Sequence, residues 1–113
     1  MYRYATASWP VLKKNPRIDL AYTMIQENIL IINKLGLHAR AAAKFVGVAN
    51  QYGCKVGVGL DEESQVDGKS IMQVMMLAAS KGTEICISCE GEQADDAMNA
   101  LLELINDYFG EGE

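Results

Sequence analysis

Ile29-Leu30-Ile31-Ile32-Asn33-Lys34-Leu35-Gly36-Leu37-His38-Ala39-Arg40 passes from a strand-like apolar run to the opening of a helix-like one, Ala41 to Tyr52, and its reading decides the fold. The chain's only histidine lies within it. A histidine at a strand-to-helix turn faces outward beside a helix N-terminus, where free backbone N–H groups and the helix dipole favour a phosphate or another anion. Gly36 permits the tight turn, and Arg40 offers a fork of donors that matches phosphate oxygens. Near neutral pH an imidazole keeps a substantial unprotonated fraction, so one ring nitrogen can attack phosphorus without a strong base. A merely solvent-facing or capping histidine is the alternative. The glycine, the helix start and the arginine together favour a histidine that carries a phosphoryl group.

Outward from this stretch the pattern alternates between strand and helix. Glu27 to Asn33 reads as a strand, followed by Ala42, Phe45, Val46, Ala49 and Tyr52 at helical spacing, with Gly53 as the stop. Cys54, Val56, Val58 and Leu60 alternate with Lys55, Gly57 and Gly59, the signature of a strand with one buried face. Asp61-Glu62-Glu63 forms an acidic turn, and Ser64 to Asp67 completes a hairpin. Lys69-Ser70 precedes a second helix, with Ile71, Val74, Met75 and Ala78 on one face and Gly82 as terminator. Glu84 to Glu90 alternates again. From Ala94 to Phe109 a third helix carries the apolar stripe Ala97, Met98, Leu101, Leu104, Ile105 and Tyr108, with Asp95 and Asp96 in its first turn. The order is β-α-β-β-α-β-α. Such elements bury their apolar faces most simply as an α+β two-layer open-faced sandwich, a four-stranded antiparallel sheet with three helices on one face.

At 113 residues the chain fits one small domain. Half of it is hydrophobic and 22% is charged, which favours a globular protein over a disordered or fibrous one. A net charge of −5 argues against a nucleic-acid binder. No apolar run approaches the roughly 18 residues of a membrane span, and Met1 to Thr23 has no continuous apolar segment of the secretory kind. The expected location is the cytoplasm, where three cysteines serve as small apolar fillers. Residues 1–23 hold both prolines and the only tryptophan and show no period, so they read as an N-terminal extension of unknown role, with 24–113 as the domain. Met24 is a candidate natural start. A native protein whose mass includes the extension counts against that.

Chemistry is as much defined by what is missing. The chain has no Ser-His-Asp or Cys-His arrangement, no HExxH and no Gly-rich nucleotide loop, so it lacks the parts of a self-sufficient hydrolase or kinase. A carrier needs little beyond an exposed nucleophile and a docking surface, and no cofactor or metal is expected. Cys86-Ile87-Ser88-Cys89 has the spacing of a redox pair or zinc knuckle but lies in an alternating strand, where Cys89 joins Ile85 and Ile87 and Cys86 points away.

The stretch Asn33 to Arg40 resembles the active-site signature of HPr, the histidine-containing phosphocarrier of the bacterial phosphotransferase system, including its nitrogen-related branch. Lys69 to Gly82 resembles the regulatory-serine helix of the same family, and with the element order the likeness covers Met24 to Glu113. The resemblance implies that His38 accepts a phosphoryl group on Nδ1 from phosphoenolpyruvate-charged enzyme I and hands it to an enzyme IIA domain, with Arg40 steadying the group. It further implies that Ser70 is the target of a serine kinase and phosphorylase in hosts that possess them, although serine before an apolar helical run is also an ordinary N-cap. Ala41 stands where many members have proline, which loosens the helix start slightly and removes no reactive atom. The two motif helices form the implied docking patch, with Ile71, Met72, Met75 and Met76 on one and low, open Ala39 and Ala43 on the other. Four large apolar residues within six positions cannot all point inward, and Met72 and Met76 are the ones expected outside.

The expected working form is a monomeric protein substrate and intermediate more than an independent catalyst. The rival is a regulatory binding module governed by Ser70, with His38 secondary. Ile29 to Ile32 is apolar on both strand faces, which calls for cover over Leu30 and Ile32, from Trp9, Leu12 or Ile18 or from a second subunit.

Overall fold

A computed structural model describes residues 23–113. The elements are β1 (Met24–Leu30), α1 (Ala39–Ala49), β2 (Lys55–Gly59), β3 (Gln65–Asp67), α2 (Ile71–Met76), β4 (Glu84–Glu90) and α3 (Ala94–Asn106), followed by a 3-10 turn at Tyr108–Gly110. The order is the expected one. The four strands form one sheet in the order β1-β4-β2-β3 with every pairing antiparallel, and the three helices make it the open-faced sandwich the periodicities predict.

Alternation in β4 sets the layers. Ile85, Ile87 and Cys89 are buried on the helix side, opposite Ile29 and Ile25 of β1 and Val58 and Val56 of β2. Onto that face α1 lays Ala41, Ala42, Phe45, Val46 and Ala49, and α3 lays Ala94, Ala97, Met98, Leu101 and Ile105. Both helices follow the apolar stripe that a 3.6-residue period writes. The open face is polar: Ser88 Oγ donates to Gln65 Oε1 at 2.5 Å, and Gln65 Nε2 donates to the Cys86 carbonyl at 3.1 Å.

Several boundaries differ from the sequence reading. β1 is Met24–Leu30, not Glu27 to Asn33, because its partner strand begins at Glu84, opposite Leu30. Ile31 lies past the ladder but stays fully buried, donating to the Thr83 carbonyl at 2.9 Å and accepting from Gly82 N–H at 2.7 Å. The two-sided apolar run therefore resolves unevenly: Ile29 and Ile31 turn to the core, Ile32 is half-buried, and Leu30 is 50% exposed on the open face. The cover suggested from Trp9, Leu12 and Ile18 lies outside the described residues. α1 stops at Ala49 with Asn50 as its C-cap, so Tyr52 is only partly buried beyond it. Leu60 is exposed, because β2 ends at Gly59 and Asp61 Oδ1 then gathers the N–H groups of Glu63 and Ser64 into a turn.

The largest corrections fall on α2 and the end of α3. α2 stops at Met76, six residues before Gly82, and Ala78 then takes a left-handed φ of +50°. Only Val74 of this short helix reaches the core; Ile71, Met75 and Ala78, expected on the same face, are exposed. α3 ends at Asn106 and not Phe109, since Tyr108 and Phe109 both adopt left-handed φ, +58° and +54°. That reversal leaves Tyr108 exposed and turns Phe109 fully into the core. Cys86 faces away from the core cluster as expected, yet it too is buried, beside Gln65 on the open face.

Candidate functional site

The loop from Asn33 to Leu37 is shaped against the chain that follows α2. Gly36 has φ +69°, and a Cβ there would lie 2.5 Å from the Ala79 carbonyl oxygen, so no other residue fits without moving backbone. Leu37 N–H donates to that same carbonyl at 2.8 Å. With the loop tied down on one side and Ala41 and Ala42 packed on the other, the start of α1 has a fixed place.

His38 is the N-cap of α1, in extended backbone, with Nδ1 accepting from Arg40 N–H at 3.3 Å. On its far side the ring meets Glu111, with Nε2 to Oε2 at 2.6 Å. The two contacts specify one tautomer. A nitrogen that accepts from a backbone N–H carries no proton, so the hydrogen sits on Nε2 and is donated to the carboxylate. The imidazole is 27% exposed and Glu111 only 11%, so the ring is reachable while its carboxylate partner is sheltered. His38 thus caps a helix and faces solvent at once, and the capping and nucleophile readings describe one geometry.

Behind Glu111 stands Asn33, fully buried, whose Nδ2 donates to Glu111 Oε1 at 3.0 Å and to the Gly36 carbonyl at 2.9 Å. Its Oδ1 has no partner among the described residues. The tail that brings Glu111 here is held twice more: Lys44 Nζ donates to the Phe109 carbonyl at 2.7 Å, and Lys34 N–H to the Glu113 carbonyl at 3.0 Å. Burial alone pushes the Glu111 carboxyl up, but hydrogen bonds from Asn33 and His38 and the nearby charge of Lys44 outweigh it and hold the group below the ordinary carboxylate range. It is therefore an anion at neutral pH. Arg40 is exposed and lines, with Lys34, Leu35, Glu111 and Glu113, an open depression of about 270 Å³, connected to the imidazole through Glu111.

Ser70 caps α2, its Oγ accepting from Gln73 N–H at 3.3 Å. Gln73 Oε1 in turn accepts from Asp67 N–H at 2.9 Å, and Asp67 Oδ1 from Lys69 N–H at 2.9 Å. α2 packs against α1. Ile71 and Met75 are exposed, Met72 is 71% exposed and Met76 76%, and Ala39 and Ala43 are exposed on α1. Leu35, also exposed, adds an apolar side chain that the sequence reading did not select.

The cysteines offer no competing centre. All three are free and buried; burial, with Cys54 alongside, pushes the Cys89 thiol up to about 12, and burial followed by Glu62 and Asp61 raises that of Cys86. For Cys86 and Cys89 the thiolate, the reactive and metal-binding form, is therefore disfavoured. Among the described residues no three His, Cys, Asp or Glu side chains converge on a metal position, and no helix is long and apolar enough to cross a membrane.

The sequence singles out His38, Arg40, Ser70 and the methionines, which the structure places at two helix starts and on an exposed face, but it gives no sign of Asn33, Lys44 and Glu111, which the structure gathers around the imidazole and its tail. Glu111 reaches His38 across 73 positions. No local pattern marks such a residue.

Comparison with known proteins identifies the family. A family model described as the PTS HPr component phosphorylation site matches residues 25–107. The chain is 71% identical over 85 residues to the phosphocarrier protein HPr of Pseudomonas aeruginosa, covering 75% of this chain and 94% of that one. It is 63% identical over 90 residues to the HPr of Pseudomonas putida, covering 80% and 100%. Among solved structures, an HPr from Thermoanaerobacter tengcongensis superposes with a TM-score of 0.71 at 41% identity, covering 76% of this chain and 96% of that one. The chain belongs to the HPr family and is a phosphocarrier of the phosphotransferase system.

Proposed function

We propose that His38 is the phosphoryl acceptor, taking the group on Nδ1 from phosphoenolpyruvate-charged enzyme I and passing it to enzyme IIA domains. The observation that carries this reading is the pair of contacts on the ring: Nδ1 accepts from Arg40 N–H and Nε2 meets the Glu111 carboxylate, an arrangement that assigns the proton to Nε2 and leaves the Nδ1 lone pair at the N-terminus of α1. There the Nδ1 lone pair forms the N–P bond as the donor's bond to phosphorus breaks and the donor atom keeps its electron pair. A phosphoryl group on Nδ1 meets the unpaired N–H groups of the first helical turn and the positive end of the helix dipole. Arg40, exposed in the first turn of α1 with its backbone N–H on the ring, steadies the phosphoryl oxygens. The site works by positioning and charge, which suits an intermediate that relies on its partners for the rest of the chemistry.

Docking falls to the exposed apolar residues of the two packed helices, Ala39 and Ala43 on α1 and Ile71, Met72, Met75 and Met76 on α2. Methionine's flexible, polarisable side chain suits a surface that must fit a donor and several acceptors in turn. Ser70, at the head of that surface, is a site for a serine kinase and phosphorylase. Negative charge there weakens enzyme I docking. Residues 24–113 form the phosphocarrier domain, with 1–23 an extension; the protein works as a monomer in the cytoplasm, with neither nucleic acid nor membrane as a partner.

Incubation with enzyme I and labelled phosphoenolpyruvate tests the reading. The label should enter wild type as a bond lost in acid and kept in base, and His38→Ala should take none. Label retained by His38→Ala would sink the assignment. No label at His38, with acid-stable label entering Ser70 only when a serine kinase and labelled ATP are supplied in a second incubation, would favour a regulatory binding module instead.

A further inference from the structure

We infer that Glu111 is a positioning residue for phosphoryl transfer, holding the Nε2 proton of His38 so that Nδ1 is the ring's only nucleophile and the phosphorylated ring stays protonated for onward transfer. This deepens, and rests on, the assignment of His38 as acceptor. The Oε2 of Glu111 lies 2.6 Å from His38 Nε2, while its Oε1 is fixed by the buried Asn33 at 3.0 Å. The carboxylate is thus held from both sides, and its orientation does not depend on the imidazole alone.

The chemistry follows from where the proton sits. When Nδ1 takes the phosphoryl group and Nε2 keeps its hydrogen, the ring gains a positive charge that faces the Glu111 carboxylate. In onward transfer the acceptor's nucleophile bonds to phosphorus, the N–P electron pair returns to Nδ1, and a neutral imidazole leaves because Nε2 still bears hydrogen. Without that hydrogen the leaving group is an imidazolate, a much stronger base that departs far less readily. The charges around the ring make the carboxylate matter. Arg40 and Lys34 line the adjacent depression and disfavour a cationic ring, Lys44 approaches from α1 through the Phe109 carbonyl, and Glu113 lies on the same tail as Glu111. Only Glu111 contacts Nε2 among the described residues.

The tail's other anchors allow a clean test, since Lys44 and Lys34 hold its backbone whatever stands at position 111. The full chain and its Glu111→Gln, Glu111→Ala and Glu111→Asp variants are charged with enzyme I and phosphoenolpyruvate, and onward transfer to an enzyme IIA is followed against pH. Nitrogen-15 spectra of the uncharged His38 ring are recorded in parallel. Wild type should show a single tautomer with hydrogen on Nε2. Glu111→Gln and Glu111→Ala should lose roughly tenfold in onward rate, the scale of one charge-assisted hydrogen bond. Their rates should fall off at lower pH than wild type, because the cationic phosphorylated ring has lost the carboxylate that faces it. Glu111→Asp should recover part of both. A merely structural tail would lower stability without moving the pH profile or the tautomer. Unchanged rates and pH profiles in Glu111→Gln and Glu111→Ala, or mixed tautomers in wild type, overturn the proposal while the carrier reading stands. Wild type that takes no label from enzyme I ends the carrier reading, and this proposal falls with it.

Discussion

The starts of α1 and α2 are built alike and supported differently. Each is capped by a side chain that accepts a backbone N–H at 3.3 Å, His38 from Arg40 and Ser70 from Gln73. Behind His38 stands an 11-residue helix with five buried residues; behind Ser70 stands a 6-residue helix with one, Val74. α1 is held by core packing, and its cap is free to be chemically reactive. α2 is too short to be stable by itself and depends on its cap, on Asp67 and on contact with α1. The side chains that α2 does not use for packing are the large apolar ones a docking surface needs. On the proposed assignment the nucleophile sits on the element with more core behind it and the docking contacts on the lightly anchored one, a division that suits a carrier whose reactive atom must be placed well against different partners.

Removing core from each helix gives the largest contrast. Phe45→Ala should destabilise by about 3–5 kcal/mol in urea unfolding, through lost burial and the cavity left behind. Val74→Ala should cost about 2 kcal/mol, a smaller side chain at a similarly buried place. Equal losses would mean that α2 is anchored as firmly as α1, and the comparison would fail. Next in size is the cap: Ser70→Ala should cost about 1 kcal/mol by leaving the Gln73 N–H without its partner. Ser70→Asp keeps an acceptor there but adds charge, and should slow phosphoryl transfer from enzyme I relative to wild type; equal rates would count against the regulatory reading. The smallest effect on stability belongs to Met76→Ser, within about 0.5 kcal/mol, because the side chain is exposed. The same variant should slow transfer from enzyme I. A stability loss above that range would place Met76 in the fold and not on the docking surface.

Most of the architecture was legible because it is written in local periods. β4 came out at Glu84–Glu90 as read, since its alternation is unbroken, and the buried faces of α1 and α3 follow their apolar stripes. Element ends were less legible because distant partners set them. β1 ends where β4 begins, and a sequence window over Ile29 to Asn33 cannot show that Ile31 is bracketed by Gly82 and Thr83. α2 ends at a left-handed alanine, Ala78, and α3 at left-handed Tyr108 and Phe109, conformations that only the surrounding structure imposes on such residues. The site divided the same way. His38, Arg40 and Ser70 carry their signal in adjacent residues and helix starts, whereas Glu111 meets His38 only because the left-handed turn at Tyr108 and Phe109 carries the tail back to Asn33 and Lys44.

Nitrogen-15 and phosphorus-31 spectroscopy of the chain after charging by enzyme I and phosphoenolpyruvate tests the central claim most directly. The account predicts a phosphorus–nitrogen coupling at Nδ1 of His38 and hydrogen still attached to Nε2. Coupling at Nε2, or a phosphoryl group found on a residue other than His38, would contradict it.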